Sequence, residues 1–201
     1  MVARGSLGKY KPGKPSITQY WILVASLVVF SAAMGYIAGI QPINEWRFFS
    51  WHPLLMTVGM VGLAGTGAVT KKLGGYENTK MHGILGWGSI IVSLAGCYCI
   101  YRNKELNGFD HLKSPHAWCG IGVMINCVGL GLAGGVFLHP DFGMDKTNKS
   151  IRLVHKWASR VTLLAAWYTA FLGLTQLIPD DIVKLSMYGI PLAALVPFTL
   201  M

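Results

Sequence analysis

Four histidines stand at the starts of four consecutive apolar runs: Ser50-Trp51-His52-Pro53, Lys80-Met81-His82-Gly83, Ser114-Pro115-His116-Ala117 and Leu153-Val154-His155-Lys156. Neighbours are 30, 34 and 39 residues apart. An imidazole can carry a proton, accept or donate a hydrogen bond, or ligate a metal. A lone histidine at such a boundary reads as an interfacial side chain bonded to a carbonyl or a lipid headgroup. Four in succession ask for a common task, because an ionisable ring in hydrocarbon is costly unless its nitrogens are satisfied.

The elements that must position these rings follow from composition. Of 201 residues 53% are hydrophobic and 12% charged, about half the charge of an average soluble domain. The apolar residues come in runs of about 18 to 24, long enough to cross a hydrocarbon layer of about 30 Å as helices. The chain therefore reads as an all-α integral membrane bundle. Six spans are expected, at about 17–40, 52–69, 82–101, 116–138, 153–178 and 182–201, after a flexible polar tail over 1–16. The last span holds Pro191 and Pro197 and ends without a polar flank, which leads us to expect further sequence beyond Met201. Pro53 places His52 in or beside the first turn of its helix. The net charge of +9 does not indicate nucleic acid, since the basic residues fill the gaps between spans and form no basic stripe. Cys97, Cys99, Cys119 and Cys127 all lie inside apolar runs and read as small buried hydrophobes, with no disulfide framework implied.

The basic residues encode orientation instead. The tail and the links before the third and fifth spans, with the start of the fifth, hold eleven of them. The opposite links hold four, or five with Lys184. The N-terminus is thus expected to be cytoplasmic. Helix parity then puts His52 and His116 at the non-cytoplasmic level and His82 and His155 at the cytoplasmic one. Two imidazoles from different helices at one depth are the arrangement that grips a haem iron from both faces. With both axial positions filled, such iron suits one-electron transfer rather than oxygen activation. A flat macrocycle needs room, and Gly86, Gly120 and Ser159 each follow a histidine by four residues on its own helical face. Met56 occupies that position after His52. The expected core is four helices, the second to fifth, with two haems about 20 Å apart, between which electrons pass with no moving part.

The segments FFSWHPLLM at 48–56, KMHG around His82, SPHAWCG at 114–120 and RLVHKWASR at 152–160 resemble the cytochrome b561 family. The SWHP start and the stretch from His82 through Asn103-Lys104-Glu105 to His116 look most like its cytochrome b561 domain-containing protein 2 group. The resemblance covers roughly residues 45 to 178. It implies six helices and two haems b, held by His52 with His116 and by His82 with His155. It also implies electron transfer from cytosolic ascorbate to monodehydroascorbate or ferric iron, and often a homodimer. An endomembrane such as a vesicle, endosome or endoplasmic reticulum fits the topology, as does the plasma membrane.

Ascorbate is an anion at neutral pH, and basic residues in the cytoplasmic links bind it in the family. Lys72, Lys80, Lys149 and Arg152 are the corresponding candidates, although the spacing from Lys80 to His82 departs from the family's usual lysine positions. His111 and Lys113 are the candidates for contact with an acceptor on the other side. Arg160, five residues past His155, matches no family motif and reads as a snorkelling side chain or a partner for a haem propionate. Two other readings stay open: a haem-containing electron carrier for a partner enzyme, and a small transporter using the histidines for metal or protons. A transporter would want acids converging near the midplane, and spans one to five contain no Asp or Glu.

Overall fold

The computed structural model describes residues 14–200. Most of the expected tail, with Arg4, Lys9 and Lys11, lies outside the described residues, as does Met201. Six long helical segments follow one another: α1 Ile17–Gly39, α2 Phe48–Leu73, α3 Tyr76–Asn107, α4 Pro115–Leu138, α5 Lys149–Leu177 and α6 Ile182–Leu200. No strand occurs among the described residues.

Local chemistry explains the ends. Ser16 and Gln19 form a reciprocal capping box at α1, with bonds of 3.2 and 2.9 Å. Ser114 accepts from the Ala117 amide ahead of Pro115, the first residue of α4. Asn148 takes the amides of Ser150 and Ile151 at the start of α5, and Asp181 takes that of Lys184 in α6. α3 closes on Gly108 in the left-handed conformation, φ 67°. α2 is composite: a 3₁₀ turn at Phe48–Ser50 precedes regular helix, and a π turn interrupts it at Val58–Leu63. The helix thus begins before Pro53, which falls within its first regular turn.

α2, α3, α4 and α5 pack in sequence, and α5 closes back on α2; α1 lies against α2, and α6 against α5, α2 and α1. The core of this arrangement contains Leu27, Met60, Val61, Val123, Leu163 and Trp167. Trp167 is 1% exposed, and its Nε1–H donates to the Met60 carbonyl in the π turn at 3.0 Å. Outside the core, large apolar side chains face outward from every helix, among them Val29, Ile91, Ile125 and Val161. Only Val123 and Met124 are buried on α4. A bundle this apolar on its outer surface is built for lipid. Lipid gives apolar side chains no transfer gain on helix association, so cohesion there comes from close packing and polar contacts.

Five of the six helices are long and apolar enough to span a membrane; α5 is the exception. Lys149, Arg152, Lys156 and Arg160 occupy its first turns and shorten its uninterrupted apolar stretch. Its 29 residues nevertheless run the length of α4. Near its start His155 lies beside Gly134, and near its end Gly173 lies beside His116. The other departure from expectation is length. α3 extends to Tyr76 and Asn107, well past the expected 82–101, because polar residues continue the helix beyond its apolar centre.

Candidate functional site

The four histidines meet in two pairs. His52 of α2 faces His116 of α4 with ring centroids 6.0 Å apart and planes at 84°; His82 of α3 faces His155 of α5 at 6.4 Å and 90°. The hydrogen bonds behind the rings settle which nitrogen is free. Nδ1–H of His52 donates to the Gly96 carbonyl at 3.0 Å, that of His82 to Gly67 at 3.0 Å, and that of His116 to Thr169 at 2.9 Å. A carbonyl only accepts, so Nδ1 must carry the proton and Nε2 is left with its lone pair. This is the way metal-ligating histidines are oriented from behind. Nδ1 of His155 is buried and has no partner among the described residues.

Each pair fits a haem on geometry, and three of the four rings fit it on tautomer as well. An iron about 2 Å from each of two facing nitrogens sets imidazole centroids roughly 6–6.5 Å apart. Among the described residues no three His, Cys, Asp or Glu side chains converge. Two imidazoles are too few for a bare ion, and are the number that a four-nitrogen macrocycle leaves open. Glycines keep the rings in place from the neighbouring helix. A Cβ at Gly173 would come within 2.8 Å of the His116 ring, and one at Gly134 within 3.1 Å of the His155 ring. The glycines against the rings are thus on the facing helices. Of the residues expected to make room, Gly86 and Ser159 line the cavity at His82 and His155, and Gly120 faces the Thr169 methyl group.

α2 and α3 exchange these bonds reciprocally, since α2 supplies His52 and the Gly67 carbonyl while α3 supplies His82 and the Gly96 carbonyl. Fourteen or fifteen residues separate ligand from carbonyl on each helix, which sets the two levels about 21 Å apart.

A cavity of about 2010 Å³ surrounds the His82 and His155 pair, larger than the roughly 300–1,000 Å³ of an ordinary small-molecule pocket. Its wall includes Lys71, Lys72, Lys80, Arg152, Lys156 and Arg160. Of the four residues expected to meet an anionic donor, Lys149 is absent from this lining. Lys72 donates to the Phe198 carbonyl at 2.6 Å, closing the last turn of α6. Lys80 is ion-paired with Asp141 at 3.3 Å, and Tyr76 donates to the same carboxylate. The Tyr76 hydroxyl, with Lys80 behind it, holds the Asp141 carboxyl below its ordinary range. Arg152 has neither constraint. Lys71 and Lys156 were visible in the sequence only as membrane-flanking charges. At the opposite end His111 is bonded to Glu105 at 2.7 Å and stacked on Tyr101, while Lys113 pairs with Asp110 at 3.6 Å. All of these except Tyr101 sit in or next to the α3–α4 link.

The family model for eukaryotic cytochrome b561 matches residues 51–179. The chain belongs to the eukaryotic cytochrome b561 family. The matched stretch starts one residue before His52 and ends just past α5, so it holds the four-helix core and all four histidines and leaves out α1 and α6. Membership of this cytochrome family implies haem b. Among its relatives, the transmembrane ascorbate-dependent reductase CYB561 of Sus scrofa is 30% identical over 133 residues, 64% of this chain and 52% of that protein. The protein of the same name from Bos taurus is 29% identical over 146 residues, 70% and 58% of the two chains. The ascorbate-specific transmembrane electron transporter 1 of Zea mays is 28% identical over 104 residues, 50% and 44%. The chain thus spans about half the length of the curated relatives it matches.

Proposed function

We propose that this cytochrome b561 is a transmembrane di-haem oxidoreductase. It takes electrons from ascorbate at the His82 and His155 end and delivers them at the His52 and His116 end, to monodehydroascorbate or ferric iron. The observation that carries this reading is one geometry occurring twice, with two crossed imidazoles from different helices, 6.0 and 6.4 Å apart. A haem held by the two imidazoles of a pair would supply a one-electron couple.

The protein's own residues then have separable tasks. His52 and His116 hold one haem b, and His82 and His155 the other. The carbonyls of Gly96, Gly67 and Thr169 fix the tautomer and tilt of three rings. Arg152 and Lys156 on the cavity wall, unpaired among the described residues, concentrate an anionic donor, whereas Lys71, Lys72 and Lys80 are bonded to Thr79, the Phe198 carbonyl and Asp141. The excess of basic residues in the tail and in the links after α2 and α4 supports a cytoplasmic side for this cavity. Relatives named as ascorbate-dependent reductase and ascorbate-specific electron transporter support the choice of donor.

Two measurements test the reading in order. The purified protein is expected to show a b-type band in its reduced-minus-oxidised absorption spectrum, and its absence would end the proposal. Vesicles loaded with ascorbate and carrying the protein are then expected to reduce external ferric chelate or ascorbyl radical. Reduction that is no faster than in protein-free vesicles would reject the transmembrane direction.

A further inference from the structure

Arg160 lines the cavity deep on α5 and, like Lys14 at the start of the described residues, has no part in these tasks. Its guanidinium lies over the Trp157 ring at 4.9 Å and faces the same cavity as His82 and His155. No carboxylate or carbonyl partners it among the described residues. Arginine does not shed its proton inside a protein, so this group stays charged. A permanent charge one turn beyond the charged start of a membrane helix needs a counter-charge, or water at the end of a bent-back side chain.

The neighbourhood favours a counter-charge. Helical side chains lean toward the N-terminus of their helix, which returns the Arg160 head toward the level of His155. Lys72 lines the same cavity, so two cations share this wall. Lys72 is itself bonded to Phe198, and the adjoining Thr199 lines the same cavity with its hydroxyl buried and unpartnered among the described residues. Two neighbouring cations and an unused hydroxyl, beside a pair of imidazoles ready for a haem, form a receptor for a carboxylate.

We infer that Arg160 binds a propionate of the haem held by His82 and His155, with Thr199 as a second donor. This inference rests on the di-haem reading above. The guanidinium fork suits a carboxylate, and its positive charge stabilises the reduced, less positive iron. Arg160 thereby raises the reduction potential of that haem and slows its loss.

The test uses the full-length protein in detergent or nanodiscs, in the natural background and in a His52→Ala background that keeps only the His82 and His155 haem. Redox titration of Arg160→Gln should show a lowered midpoint for that haem, and faster haem transfer to an excess of a haem scavenger. KM for ascorbate should stay unchanged. Arg160→Lys, which keeps the charge, should recover most of the potential. The undiminished spectrum of the His52 and His116 haem in the single variant controls for folding. An unchanged midpoint and unchanged retention would overturn the inference and leave a snorkelling side chain. A raised KM with both properties intact would also overturn it, assigning the guanidinium to the donor. Absence of haem from the unsubstituted protein would instead remove the underlying di-haem reading.

Discussion

The His52 imidazole donates from Nδ1 to the Gly96 carbonyl at 3.0 Å, so a ring on α2 takes its orientation from the backbone of α3. Gly96 allows this because a Cβ there would lie 3.2 Å from Leu55 Cβ and from Met56 Sδ. We expect Gly96→Ala to push the helices apart, cost about 1–3 kcal/mol of stability and lower haem occupancy at the His52 site in preference to the other. Haem per protein, read with thermal unfolding of the same sample, checks both parts.

Removing the ligands should separate the two centres. His52→Ala and His82→Ala are each expected to abolish about half of the b-type absorbance, and the double variant nearly all of it. Two single variants that both retain full absorbance would refute the assignment of ligands.

Gly173 offers a test one methyl group in size. Its Cβ would meet His116 Cε1 at 2.8 Å, against a ring already held by Thr169. Gly173→Ala is expected to tilt His116 and broaden or shift the low-spin electron paramagnetic resonance signal of one haem, leaving the other unchanged. Identical signals from variant and parent would show that the ring has room to spare.

Asp141 gives the link between α4 and α5 an acid sensitivity of known sign. Tyr76 and Lys80 lower its folded-state pKa from the ordinary 3.8. Its contribution is therefore complete above that ordinary value and fades as pH falls through the lowered one. The group is exposed at the surface, so global stability should barely respond. Amide exchange in residues 139–148 should instead quicken in Asp141→Asn at neutral pH. The same variant frees Lys80 at the cavity and is expected to lower KM for ascorbate. An unchanged KM would mean that Lys80 does not meet the donor.

Trp167 ties the core to the π turn of α2. Trp167→Phe removes the donor to the buried Met60 carbonyl and is expected to destabilise the protein by about 1–3 kcal/mol. A thermal midpoint equal to the parent's would show that another group or water takes over that carbonyl.

What could be read from sequence was whatever residue type and count encode. Hydropathy runs placed the six helices, and parity alone sorted His52 with His116 and His82 with His155, the same pairs that face each other across the bundle. The supports behind the rings were illegible because Gly96, Gly67 and Thr169 act through backbone oxygens, which every residue has. The glycines against the rings could not be assigned either, since Gly134 and Gly173 lie on helices other than those of the rings they touch. The pairing of Lys80 was illegible for a similar reason. Its partner Asp141 is some sixty residues away, and a charge looks free in sequence until the fold supplies its neighbour. The ends of α3 were underestimated because hydropathy marks where lipid stops, not where hydrogen bonding does.

The reciprocal bonds between α2 and α3 make the distance between the centres a matter of counting. Each helix carries a ligand for one centre and the backing oxygen for the other, so the helical repeat works as a ruler engaged at both ends. Inserting one residue between His82 and Gly96 would turn one end by about 100° relative to the other and lengthen the ruler by about 1.5 Å. Neither centre could absorb that alone. Substitutions can accumulate along the faces of these helices, but the number of residues between the two levels is held by both centres at once.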